Sequence, residues 1–234
     1  MKNRIQLLTK IAFVVGIVLL MSGGARADLV YSTDFTGEEY SQVSVDIVFD
    51  GSATETWFGS NNGVGIGGGD LSFSNTSSNR YRGSGIWLDT TGWATGPVTV
   101  EVDVANFASG TNSDIIFQAY AANGVDASNT VSLDLHGAAG LDGAPMANGT
   151  ATIATLGAEQ LITSNGTAAF TFNFNGTDDF VGLTFAQDNA NPSTDFVSAD
   201  LDNLTVNTFA VPEPSSLMML AAGIGAVTLR RRRV

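Results

Sequence analysis

The strongest constraint on this chain is an apolar residue at every second position, repeated in several short segments. Val98, Val100, Val102 and Val104 alternate with Thr99, Glu101 and Asp103, and Phe170, Phe172 and Phe174 alternate with Thr171, Asn173 and Asn175. Val43, Val45, Ile47 and Phe49 alternate in the same way with Ser44, Asp46 and Val48. Successive strand side chains point to opposite faces, so period two with one apolar face predicts half-buried antiparallel strands. Asn175-Gly176 is a tight-turn pair, after which the alternation resumes at Val181, Leu183 and Phe185. No stretch between residues 28 and 209 holds a helical period; Ala138 to Ala147 is interrupted by Gly140, Gly143 and Pro145. Several such strands in about 180 residues predict an all-β fold, an antiparallel β-sandwich.

The charge distribution excludes one class of partner. All ten basic residues are Lys2, Arg4, Lys10, Arg26, Arg80, Arg82 and Arg230 to Arg233. Between Asp28 and Val211, two arginines stand against 22 of the 23 acids, a net charge of −20 where the whole chain carries −13. Such a field repels nucleic acid, whose affinity depends on cationic phosphate contacts, and it attracts divalent cations. The chain has no cysteine, so no disulfide or thiolate site is available and the fold relies on its core.

The ends carry apolar segments beside cations. Lys2, Arg4 and Lys10 precede an apolar run from Ile11 to Met21 and then Ala25-Arg26-Ala27. Small residues at Ala25 and Ala27 fit cleavage by signal peptidase, which makes 1–27 a signal peptide and Asp28 the mature N-terminus. A retained anchor is the alternative, but a membrane span takes about 20 apolar residues. At the other end Val211-Pro212-Glu213-Pro214 precedes an apolar stretch from Leu217 to Leu229 and then Arg230, Arg231, Arg232 and Arg233. Proline stops a strand and suits a first helical turn, so a transmembrane helix of about 22 Å is predicted from Ser215 to Leu229. Arginines at its end belong in the cytoplasm, which places 28–209 outside.

This tail resembles the PEP-CTERM sorting signal, in which a Pro-Glu-Pro motif, a short transmembrane segment and an arginine cluster end the chain. The resemblance assigns 210–234 to sorting. It implies recognition by an exosortase, with cleavage near Pro212-Glu213-Pro214, in a Gram-negative bacterium that makes exopolysaccharide. The expected route is export, transient anchoring in the inner membrane, and delivery to the cell surface, outer envelope or extracellular matrix. An ordinary tail anchor is the alternative.

In the last strand Val197, Ala199 and Leu201 share one phase and Leu204 and Val206 the other, so a β-bulge is expected at Asp202-Asn203. The opening Leu29 to Phe35 and closing Asp200 to Val206 resemble the terminal strands of jelly-roll carbohydrate-binding modules. That resemblance implies a structural calcium ion held by acids near the chain ends, here Asp34 and Asp202. Asp178-Asp179 reads as a solvated turn or as a second acidic candidate. Asn61 to Asp70, with five glycines, reads as a loop without the strand-then-helix context of a dinucleotide site. The Asn-x-Ser/Thr sequons at Asn75, Asn148, Asn165, Asn175 and Asn203 read as turns.

No complete catalytic constellation is present. His136 is the only histidine, which removes triads and two-histidine metal sites. Ser84 lies in Gly83-Ser84-Gly85, outside the pattern of a nucleophile elbow. Glu101-Val102-Asp103-Val104-Ala105-Asn106 resembles the E-x-D-x-x-E strand of laminarinase-type jelly-roll glycosidases, which implies nucleophile and orienting roles for Glu101 and Asp103. Its final position is Asn106, which cannot protonate a leaving group; retaining hydrolysis needs two carboxyl groups about 5 Å apart. For sugar binding, exposed aromatics that stack on a pyranose are needed, and Trp93 and Tyr81 are the candidates. Trp57, Trp87 and Tyr120 are further aromatics, with Trp57 and Trp87 read as core. The resulting expectation is a non-catalytic surface or matrix protein associated with exopolysaccharide, against an enzyme or a purely structural protein.

Overall fold

The computed structural model describes residues 27–43, 46–60, 63–74, 83–110, 114–134, 145–187 and 197–209. Asp28–Thr208 forms one compact unit. Its strands are β1 (Ala27–Thr33), β2 (Tyr40–Val43), β3 (Asp46–Phe49), β4 (Trp57–Ser60), β5 (Val64–Gly67), β6 (Asp70–Phe73), β7 (Gly83–Asp89) and β8 (Gly96–Ser109). They continue with β9 (Ile115–Asn123), β10 (Val131–Asp134), β11 (Met146–Ala147), β12 (Thr152–Ile162), β13 (Gly166–Phe174), β14 (Phe180–Gln187) and β15 (Val197–Phe209). No described residue is helical.

One sheet has the order β13-β8-β15-β6-β5, with β1 also paired to β15; the second has the order β12-β9-β14-β7-β4-β2. The pairings are nested in sequence: β6 with β15, β7 with β14, β8 with β13, and β9 with β12, all antiparallel. Successive strands thereby alternate between two facing sheets, which is a jelly roll. The sheets close on a core to which β8 contributes Val98, Val100, Val102 and Val104 and β13 contributes Phe170, Phe172 and Phe174. Across the gap Phe117 of the second sheet stacks on Phe170 of the first at 4.3 Å and 12°. Each such side chain stabilises the fold by about 1.5–3 kcal/mol through removal from water.

The two sheets differ in their outer faces. On the first, the residues alternating with the core are polar and wet, as Glu101 and Asp103 on β8 illustrate. In the second, the central strands are buried on both faces, as the unbroken burial of β9 and β14 from Ile115 to Ala122 and Val181 to Gln187 shows. A three-stranded sheet, β11-β10-β3, contributes Phe49, Val131 and Leu133 to a second core with Phe58, Trp87 and Tyr120. Phe49 stacks on Trp87 at 4.8 Å and 11°. Trp87 faces Gly182 across the β7–β14 pair, and a Cβ at Gly182 would come within 2.7 Å of the indole. Glycine there lets the ring lie across the neighbouring strand.

Three local expectations are corrected. Val43 to Phe49 is not one strand: β2 lies parallel to β4 in the second sheet, whereas β3 pairs with β10 in the small one. The glycine-rich Asn61–Asp70 segment contains β5, hairpinned to β6 through Gly68 and Gly69 at φ 74° and 97°. Two successive positive φ values suit a tight hairpin, and Val64, buried on the core, gives this edge strand its inner side. Asn175-Gly176 is a turn, with Thr177 N donating to Asn175 Oδ1 at 2.7 Å, but it joins the two sheets rather than a hairpin within one.

Candidate functional site

Position in the sandwich sorts the aromatics. Trp57 is buried in the core between the two large sheets, and Trp87 and Tyr120 are buried in the second core. Burial, followed by the charge of Glu159, raises the Tyr120 hydroxyl above its ordinary pKa. Tyr81 lies outside the described residues. Trp93 is the one tryptophan left partly exposed. Its main-chain N–H donates to Thr90 O at 2.9 Å, and its ring meets Phe174 edge-to-face at 5.6 Å and 67°. Pinned at one edge by the last phenylalanine of β13, the indole keeps another side toward water.

The loop carrying Trp93 is held by hydrogen bonds to its neighbours. Thr91 N donates to Asp89 Oδ1 at 2.8 Å, and the Thr91 hydroxyl, followed by this amide, holds the Asp89 carboxyl below its ordinary pKa. Thr90 N donates to Asp179 O at 3.1 Å, and the Thr90 hydroxyl reaches the main-chain oxygens of both Asp178 and Asp179. Asn123 Nδ2 donates to Asp178 Oδ1 at 2.8 Å, Asp179 N to Asn123 Oδ1 at 3.0 Å, and Gly124 N to Asp179 Oδ2 at 2.8 Å. Three connections, 90–95, 123–124 and 175–179, are thus tied into one end of the sandwich. Phe174 pairs with Gly96, and Thr208 with Val98, so the last strand finishes at this same end.

The open face of the first sheet carries the other acids. Glu101 and Asp103 are exposed there. Asp103 accepts from Thr167 Oγ1 at 2.7 Å and from Asn203 Nδ2 at 3.2 Å. Asp200 accepts from Ser72 Oγ and Asn106 Nδ2, both at 2.7 Å. Burial, then the charges of Asp200 and Asp202, raises the Asp70 carboxyl above its ordinary pKa. The register of β8 and β15 shifts twice, once beside Asn106 and once beside Asn203, and these residues have φ 53° and 50°. The second shift is the bulge expected at Asp202-Asn203. The first was missed, although the phase change from Val104 to Phe107 marks it. Asn106 therefore sits in a bulge with its amide committed to Asp200, rather than in line with Glu101 and Asp103.

The terminal strands β1 and β15 pair. Asp34 Oδ1 accepts from Thr36 N at 2.9 Å, and Asp202 Oδ1 from Asn203 N at 2.6 Å. Among the described residues no three Asp, Glu or His side chains are grouped to hold a metal ion. Ala25, Val211 to Pro214 and Arg230 to Arg233 lie outside the described residues; Ala27 opens β1.

Strand order and site together define an all-β jelly roll with one partly exposed tryptophan at a loop end and an acidic, cation-poor surface. Residues 210–233 match the PEP-CTERM protein-sorting motif, which marks an exported, exosortase-processed surface protein. No curated protein matches the chain. Among solved structures, the CBM22-1 xylan-binding domain from Paenibacillus barcinonensis Xyn10C is similar at 12% identity and TM-score 0.35, over 81% of this chain and 100% of that one. The C-terminal family 22 carbohydrate binding module of Clostridium thermocellum Xyn10B is similar at 12% identity and TM-score 0.36, over 78% and 94%. Lectin II from Ulex europaeus is similar at 10% identity and TM-score 0.32, over 71% and 98%. The nested strand pairing, not these distant likenesses, carries the fold assignment.

Proposed function

We propose that this chain is a non-catalytic surface or matrix protein that associates with exopolysaccharide through the loop end bearing Trp93. The supporting observation is the position of Trp93: an indole packed on Phe174 yet partly open to water, in a connection that also carries the hydrogen-bonded Asp89 and Thr91. A partly exposed flat ring in a polar connection suits a sugar, whose C–H face stacks while its hydroxyls hydrogen-bond. The sorting motif supports the location, since exosortase processing delivers the body to where extracellular polysaccharide is found. In this reading signal peptidase and exosortase are partners during export only. Calcium is kept as a structural partner, with Asp34 and Asp202 its sequence-derived candidates.

Two observations speak against hydrolysis at Glu101: the third position of the motif is Asn106, and Asp103 is held by Thr167 and Asn203. A glycan array probed with the protein purified from its host, with and without calcium, tests the reading. Binding that disappears in Trp93→Ala supports it. An array blank under both conditions leaves a purely structural envelope protein. Hydrolysis that vanishes in Glu101→Gln would establish the enzyme instead.

A further inference from the structure

Asp178 is 8% exposed, and its Oδ2 is buried without a hydrogen-bond partner. The donors around it are already committed. Asn123 Nδ2 serves Oδ1 of the same carboxyl, Gly124 N serves Asp179 Oδ2, and Thr90 N and its hydroxyl serve main-chain oxygens. Thr177 N and its hydroxyl both turn to Asn175 Oδ1. Among the described residues there is no lysine, arginine or histidine to compensate the Asp178 carboxylate. A buried carboxylate is expensive unless it is paired or bound to a metal.

We infer that Asp178 Oδ2 is a ligand of a divalent cation of the calcium class, bound where the 90–95, 123–124 and 175–179 connections meet. Hard cations of this kind accept about six to eight carboxylate, carbonyl and water oxygens in flexible combinations, so main-chain oxygens and water would complete a set begun by Asp178 and its neighbour Asp179. Zinc favours histidine and cysteine, and the described residues include neither. The −20 body raises the local concentration of such ions. Because Thr90 bonds to Asp178 and Asp179 while its own carbonyl receives Trp93 N, the ion would also fix the loop that presents the indole. The site is separate from Asp34 and Asp202, and the inference stands whether or not Trp93 binds sugar.

The test is calorimetric titration of calcium chloride into the chelator-treated protein, with Asp178→Asn and the double variant Asp34→Asn/Asp202→Asn alongside. Saturable binding is expected in the wild type, weakened at least about tenfold in Asp178→Asn and retained in the double variant. Terbium luminescence sensitised by tryptophan supplies a second reading of the same three proteins. No saturable binding in the wild type would overturn the inference without reference to any variant. Binding kept by Asp178→Asn and lost in the double variant would overturn it too, moving the ion to the terminal strands.

Discussion

The side-chain amide of Asn106 donates to Asp200 Oδ2 at 2.7 Å, linking the bulge in β8 to the strand that closes the fold. The residue combines two requirements, a positive φ of 53° and a donor for a carboxylate. Asparagine tolerates that backbone region better than most residues with a Cβ. Asn106→Gly should keep the backbone and lose only the hydrogen bond, whereas Asn106→Ala should lose both and be less stable by a further ~1 kcal/mol. Asn106→Glu places a second carboxylate against Asp200 and should lower the melting temperature without creating hydrolysis. Denaturant unfolding and a laminarin assay read both outcomes.

Trp93 and Trp87 should separate binding from stability. Trp93→Ala should abolish polysaccharide retention with little change in melting. Trp87→Ala removes the ring between Phe49 and Gly182 and should cost about 3–5 kcal/mol. Affinity electrophoresis and urea unfolding of both variants make the comparison; equal destabilisation would deny Trp93 its surface role.

Gly182 offers a converse test. Gly182→Ala places a methyl group within 2.7 Å of the Trp87 ring and should destabilise by about 1–3 kcal/mol through overpacking. Trp87→Leu in the same background should restore part of that loss, since the ring atoms in the way are gone.

The acids predict opposite pH responses. Asp89 and Asp126 are held below their ordinary range, Asp89 by the Thr91 hydroxyl and amide, Asp126 first by Ser128 N and then by Asn129. Each contributes stability that is present above the unfolded carboxylate pKa and is lost as pH falls through the folded one. Asp70 is raised, so the fold binds its proton more tightly than the unfolded chain and its ionisation opposes folding at neutral pH. Asp70→Asn should therefore raise the melting temperature at pH 7 and low ionic strength. The gain should shrink with added salt, because the charges of Asp200 and Asp202 are then screened.

How much of this was legible depended on whether a strand keeps one wet face. Val98 to Val104 and Phe170 to Phe174 announce themselves because Glu101, Thr171 and their neighbours mark the other side. Ile115 to Ala122 carries no such alternation, since β9 is buried on both faces beneath the small sheet, and periodicity has nothing to register there. The bulge at Asn203 was readable because the apolar phase changes around it. Trp93 follows Gly92 in Thr90-Thr91-Gly92-Trp93-Ala94, a stretch with no strand alternation, which favours a loop position for its indole. The tie between Asn123 and Asp178–Asp179 was not readable, because it joins residues 55 or 56 positions apart.

β15 is the last of the described strands to be synthesised, yet it lies inside the first sheet, between β8 and β6, and also receives β1. Until residue 209 has crossed the export channel, that sheet lacks its centre: β1 and the β5–β6 hairpin have no strand joining them to β8, and the second sheet faces an incomplete partner. The translocating polypeptide should consequently stay threadable to the end of its passage. A nascent chain halted at residue 196 should be digested readily by added protease, and resistance at that length would contradict this order of events.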